Sequence, residues 1–442
     1  MEFKRDKYLD ELVDKIGNSL VKVITGSRRC GKSYLMNKFF YEYLISIGVD
    51  EKHIIRFAFD NDEHIDQLDN YFSELPNKIL DRRGYYVISS KKFRAYIQDK
   101  TNDKGKYYLL LDEIQLLDSF VGTLNAFLSH NNFDIYVTGS NSNLLSSEIE
   151  TMFRGRKSSI HMLPLSFSEF LTGFNSNINE AWKNYIVTGG IPLVYKQSEK
   201  DRYKFLSELC NEVYIKDIIG RKGIKDSDTL NELFSFLSSS IGSSVSPLSL
   251  EKTFRSKKRV VVTDDTINNY INHFIDAFIV SKVYKYNIKG KKYINTPYKV
   301  YFEDIGVRNA KTDFKQIEET HIMENIIYNE LRYRGFSVDV GEVDIYEATD
   351  RIDQNGKKIY ANKKLEVDFI ARLGEKKYYI QSCLNINSQD VVTREKKNLC
   401  YIDDSFRKLI ITKDGLSIRK DINGFTIMDI FDFLLDYDSL DK

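Results

Sequence analysis

Three apolar runs mark the early part of the chain: VKVIT from Val21, YYLLL from Tyr107 and FDIYVT from Phe133. Each is short and rich in β-formers, and the YYLLL run is continuous, as strands buried on both faces of a parallel sheet are. Later the period lengthens. Leu230–Leu237 and SPLSLEKTF read as helices, the second capped by Ser246 with Pro247 at its first position. TDDTINNYINHFIDAFIV reads as a longer helix capped by Thr263 or Asp264. Its apolar stripe is Ile267, Ile271, Phe274, Ile275 and Phe278. A hairpin follows, turning near Lys289-Gly290, and THIMENIIYNELRYRG reads as another amphipathic helix ending at Gly335. LEVDFIARLGEKKYYIQSCL then alternates with period two about a turn at Gly374-Glu375. That register sets Asp368 opposite Gln381 and Glu366 opposite Cys383, so all four share one face of a sheet.

The first run carries chemistry. After Thr25 come Gly26, Ser27, Arg28, Arg29, Cys30, Gly31, Lys32 and Ser33, a full GxxxxGK[ST] match, and helix-forming residues follow from Tyr34. Strand, loop and helix is the context this motif needs. Loop amides and a helix N-terminus bind phosphate oxygens. Lys32 is expected to reach the β- and γ-phosphates of ATP and Ser33 to ligate Mg²⁺.

The second run ends in Asp112 and Glu113, where an α/β sheet places its ligand groups. Asp112 is expected to support Mg²⁺ and Glu113 to act as general base toward the attacking water. The same pair could instead be an acidic helix start, but the upstream loop favours catalysis. After the third run, Ser140 or Asn141 can sense the γ-phosphate, or can cap the next helix. Arg154 and Arg156 in TMFRGRKSS are candidates for an arginine finger, or a plain basic turn.

Together these motifs resemble the AAA+ ATPases. GSRRCGKS, LLLDEIQ, VTGSNSNLL, FRGR, LPLSFSEFL and TGGIPLVY follow in the order of one prokaryotic family that joins a AAA+ module to a C-terminal domain of unknown function. The resemblance covers nearly the whole chain. It implies that Arg156 is the better finger candidate, and it leaves no second sensor arginine assignable near TGGIPLVY.

Composition narrows the rest. A chain of 442 residues has room for about two to four domains. The formal charge is +1, so no global field recruits nucleic acid or membrane. Cys30, Cys210, Cys383 and Cys400 are scattered, which argues against a zinc site or a disulfide framework. The charged N-terminus lacks a signal-like apolar core, and no membrane-spanning stretch is apparent, so a cytoplasmic protein is expected.

Charge is nevertheless local. Lys252–Val300 holds an excess of +8. Three helices and a hairpin there make a winged helix, expected either to contact double-stranded DNA or to pack against protein. Arg255, Lys257, Lys258 and Arg259 precede the recognition helix, Asn268 and Asn269 lie on its polar face, and Lys289, Lys291 and Lys292 sit in the wing. Beyond it, the element order resembles the PD-(D/E)xK nuclease fold. Glu324 matches that pattern's helical acid, Asp368 its strand acid and Gln381 its third position. Cys383 stands where the lysine should be. A neutral thiol cannot stabilise developing negative charge, so a scaffold that binds nucleic acid or protein is expected, rather than a nuclease.

The expected layout is an α/β protein in four parts: a P-loop AAA+ core (1–165), a helical lid or connector (166–226), the winged helix (227–310) and a restriction-endonuclease-like α/β domain (311–442). The expected function is Mg²⁺-dependent ATP hydrolysis coupled to DNA or protein binding. An ATP-gated regulatory or defence DNA-binding protein with negligible turnover is the alternative, and an active metal-dependent nuclease a lesser one. Finger candidates make homo-oligomers an open expectation.

Overall fold

The computed structural model describes residues 1–81, 85–130, 132–140, 151–174, 176–215, 218–220, 223–224, 226–258, 262–352, 358–385, 396–415, 417–421 and 424–442. The chain divides into two compact units. The smaller comprises residues 3–164 with 276–278, and the larger comprises 1–2, 165–275 and 279–442.

The smaller unit contains β1 (Val21–Thr25), β2 (Ile54–Ala58), β3 (Lys78–Leu80), β4 (Tyr86–Ile88), β5 (Tyr107–Asp112), β6 (Phe133–Gly139) and β7 (Lys157–His161). Five of these form one sheet in the order β2-β5-β6-β1-β7. Every pairing in it is parallel. Every residue of β1 and β5 is buried, which is why both read as unbroken apolar runs. β3 and β4 make a separate antiparallel pair. Helices Ser90–Lys100 and Phe120–Leu128 bring Phe93, Ile97, Leu124 and Phe127 into the same core as Leu109 and Leu111. Each such fully buried side chain contributes about 1.5–3 kcal/mol.

The larger unit opens with helices Phe167–Gly173, Ile178–Thr188 and Glu199–Glu208. A capping box between Ser166 and Glu169 starts the first. Helices Ser227–Ser239, Pro247–Thr253 and Asp264–Asp276 follow, and the Thr263 hydroxyl accepts from the Thr266 amide to cap the last. The strands are β8 (Ser244–Val245), β9 (Val280–Asn287), β10 (Lys292–Phe302), β11 (Ser337–Ile352), β12 (Lys358–Leu373), β13 (Lys376–Cys383), β14 (Arg407–Thr412), β15 (Arg419–Lys420) and β16 (Thr426–Asp429). They form one mixed sheet in the order β15-β16-β14-β13-β12-β11-β9-β10-β8.

The hairpin expected as a wing therefore continues the sheet of the last hairpin. β11 adds in parallel to β9, pairing Val340 with Lys285 and Glu342 with Asn287. Residues on both sides of position 310 share this sheet. The physical reason is the free hydrogen-bonding edge of β9, which pairs with whatever extended segment reaches it. β12 and β13 pair as the alternation requires, from Phe369 with Ile380 to Leu373 with Lys376, about a two-residue turn with Gly374 at φ 57°.

Candidate functional site

The loop between β1 and the helix beginning at Lys32 is built on three left-handed residues, Gly26 (φ 148°), Arg29 (φ 66°) and Gly31 (φ 107°). A Cβ at Gly26 would collide with the Met162 carbonyl, so only glycine lets the chain turn there. Lys32 is buried, and its ammonium donates to the carbonyls of Gly26 (2.9 Å) and Ser27 (2.8 Å). The buried Ser27 hydroxyl has no hydrogen-bond partner among the described residues. Arg28 is half-buried, Arg29 and Tyr34 are exposed, and the Cys30 thiol is fully buried. An orphaned hydroxyl and an ammonium resting on loop carbonyls fit a loop whose remaining partners are phosphate oxygens.

Asp112 closes β5 beside this loop. Its carboxylate accepts from the Thr138 hydroxyl and is hydrogen-bonded by Ser33. Burial pushes the Asp112 carboxyl up, and those two hydroxyls pull part of the way back. Glu113 is left-handed at φ 52°, ψ 50°, a conformation costing about 1–2 kcal/mol for a residue with a Cβ. The Glu113 amide donates to the Thr138 hydroxyl oxygen (3.2 Å). The Glu113 carboxylate accepts from the Gln115 amide and from the Ser140 hydroxyl (3.3 Å). Thr138 thus touches both acids, and Ser140 and Gln115 hold the second. Thr138 and Gln115 carry no motif signal of their own. The β5–β6 register, which pairs Leu111 with Val137, is what places Thr138 beside Asp112. Asn141 lies outside the described residues. Arg154 and Arg156 are exposed in a turn with Arg154 at φ 53° and Gly155 at φ 74°, just before β7.

The larger unit brings Glu324, Glu366, Asp368 and Gln381 together, and adds residues the motif did not name. Lys299 of β10 places its ammonium 2.9 Å from Glu324 and 2.8 Å from Glu366. Lys285 of β9 stands 2.7 Å from the other oxygen of Glu366. The Tyr301 hydroxyl donates to Glu324 (2.6 Å). The Asp368 amide donates to Gln381 (3.4 Å), and the Ser382 amide to the Asp368 carboxylate (2.8 Å). Burial pushes the Asp368 carboxyl well up, reinforced by Glu324. Burial would also raise Glu324, but Lys299, His321 and Tyr301 hold it below the usual range. Burial alone would lower Lys299, yet Glu324, Asp368 and Glu366 outweigh it and raise the ammonium. The Cys383 thiol donates to the Asn385 carbonyl (3.0 Å), so it stands in the lysine's place without taking its role.

The basic excess is partly consumed inside the fold. Lys285 and Lys299 are buried in the acid cluster, and Arg255 pairs with Glu251 at 2.7 Å. Asn268 accepts from Lys282 at 3.4 Å, while Asn269, Lys289, Lys291 and Lys292 are exposed. Arg259 lies outside the described residues, as do the side chains of Lys257 and Lys258. Among the described residues no helix is long and apolar enough to cross a membrane.

A parallel sheet with a phosphate loop after β1 and an Asp-Glu pair at the end of β5 defines a P-loop ATPase core of the AAA class. A family model described as AAA domain matches residues 18–171, and a model described as a domain of unknown function (DUF8612) matches residues 179–318. The chain belongs to the same family as an uncharacterized protein of Haemophilus influenzae, to which it is 31% identical over 437 residues, 98% of each chain. It is 27% identical to an uncharacterized protein of Methanocaldococcus jannaschii over 449 residues, covering 92% of this chain and 88% of that one. Among solved structures, the Aeropyrum pernix ORC2 protein in ADPNP-ADP complexes matches at 12% identity and a TM-score of 0.36, covering 72% of this chain and 92% of that one.

Proposed function

We propose that the chain binds ATP with Mg²⁺, hydrolyses it, and couples nucleotide state to binding of DNA or a protein by the larger unit. The observation that carries this reading is the linked set Ser33–Asp112–Thr138–Glu113, in which one hydroxyl holds the Asp112 carboxylate and the Glu113 backbone amide together. Lys32 and the loop amides would hold the phosphates. Ser33 and Asp112 supply the hard oxygen donors that suit Mg²⁺, which would neutralise charge on the phosphates. Glu113 accepts a proton from the attacking water. Ser140 positions the Glu113 carboxylate, with Asn141 the other sensor candidate. Arg156, or else Arg154, is the finger, supplied by a neighbouring copy in a homo-oligomer.

In the larger unit, we read the helices Pro247–Thr253 and Asp264–Asp276 with β9 and β10 as a winged helix. Its exposed Lys289, Lys291, Lys292 and Asn269 approach double-stranded DNA, and Lys257, Lys258 and Arg259 add charge before the helix. The strands beyond it form a nuclease-like scaffold that binds without cutting. The four-part division at 165, 226 and 310 and a cytoplasmic location belong to the same reading. One observation favours the ATP-gated alternative: the Glu113 carboxylate is already engaged by Gln115 and Ser140.

Phosphate release from Mg²⁺-ATP by the full chain, with and without duplex DNA, separates the two. The proposal expects release in both arms and a faster rate with DNA. Bound ATP with no release in either arm would move the chain to the gated class.

A further inference from the structure

We propose that the Lys299 ammonium occupies, in the carboxylate cluster of the larger unit, the place a divalent cation would take, and thereby closes that cluster to metal. This deepens the reading of the unit as a non-cutting scaffold and rests on it. The ATPase reading stands apart.

Glu324, Glu366, Asp368 and Gln381 present an oxygen donor set suited to a hard divalent cation. The positive charge among them comes instead from the chain itself. Lys299 is 3% exposed, and its ammonium touches Glu324 at 2.9 Å and Glu366 at 2.8 Å. Lys285 and Tyr301 take further contacts on the same two acids, at 2.7 Å and 2.6 Å. Asp368 and Glu324 are 9% and 8% exposed, leaving little room for the waters that Mg²⁺ keeps. Among the described residues, no three acids, histidines or cysteines are placed to hold a metal ion. With Lys299 wedged between Glu324 and Glu366, the carboxylates converge on an ammonium. A tethered cation also needs no capture from solution.

The expected lysine is absent at Cys383, but a lysine reaches the same acids from β10. Its position matters: it bridges two carboxylates directly and so competes with a metal for them. Removing one partner from a buried ion pair leaves the other charge uncompensated. With the ammonium gone, Glu324, Glu366 and Asp368, which now stand around it, draw together on a divalent cation in its place.

The test is Mn²⁺ uptake by the nucleotide-free full chain, read from loss of the free-ion electron paramagnetic resonance signal. Wild type and Asp368→Asn should take up the same amount, because the cluster holds no metal in either. Lys299→Ala should gain an ion, and Lys299→Ala with Asp368→Asn should lose it again. Circular dichroism establishes that each variant is folded, and Lys299→Ser serves if Lys299→Ala is not. Uptake by wild type that disappears in Asp368→Asn would overturn the proposal. So would a folded Lys299 variant with no gain. Both outcomes leave the P-loop reading untouched.

Discussion

Asp304 is a fully buried carboxyl at the start of helix Ile305–Lys311, held by the amides of Gly190 (2.7 Å), Val307 (2.9 Å) and Gly306. Burial pushes it from 3.8 up to about 6, against the pull of those three amides. The folded state therefore binds the proton more tightly than the unfolded chain. The stabilisation is complete below about pH 4 and is lost as the pH rises through about 6. Such a shift amounts to about 3 kcal/mol. Relative to Asp304→Asn, wild type should lose up to that much unfolding free energy between those pH values, as measured by denaturant melts. A difference that does not change with pH would contradict this account. The residues of the nucleotide site differ in how legible they are. Gly26 to Ser33, Asp112 and Glu113 could be read from spacing, since the loop and the strand end are each local. Thr138 and Gln115 could not, because one acts through cross-strand register and the other through a short contact onto Glu113. Lys299 and Lys285 were visible only as charge, and counted toward a DNA surface. Their partner acids lie far along the chain, so nothing local links them.

At the scale of elements, helix Glu319–Tyr333 is fastened to β10 by the amides of Asn325 and Asn329 as well as by Glu324. Asn325 accepts from the Phe302 amide (2.7 Å) and donates to the Phe302 carbonyl (2.8 Å), and Asn329 donates to the same carbonyl (3.0 Å). Asn325→Leu leaves the Phe302 N–H buried without an acceptor, while Asn329 still satisfies the carbonyl. The expected cost is about 1–3 kcal/mol, measured as a shift in the urea midpoint. A change within about 0.5 kcal/mol, as at an ordinary surface position, would contradict this reading. Helices with a strong stripe and the Gly374-Glu375 hairpin were legible, because their periods and turn residues are local. The register predicted for Asp368 and Gln381 is consistent with their amide contact. The β9–β11 pairing was not legible. Parallel addition to an open edge leaves no periodic signature, so nothing in the sequence puts the strands before and after residue 310 in one sheet.

At the scale of the whole chain, the near-zero net charge and the local excess of +8 say little about partners until the internal pairs are subtracted. Lys285, Lys299 and Arg255 are all paired within the fold. Among the described residues, Lys252, Arg255 and the turn lysines Lys289, Lys291 and Lys292 of the β9–β10 hairpin remain exposed, where a phosphate backbone would meet them. The α/β class and the AAA core followed from motif order alone, since phosphate chemistry fixes both spacing and context. The role of the larger unit did not, because its acids are answered by lysines from other strands. The central claim is that chemistry resides on Glu113. Its most direct test is steady-state phosphate release from Mg²⁺-ATP by wild type and Glu113→Gln, with ATP binding measured on both. The account predicts similar binding and release slowed by about a hundredfold or more in the variant. Equal release rates in the two proteins would contradict it.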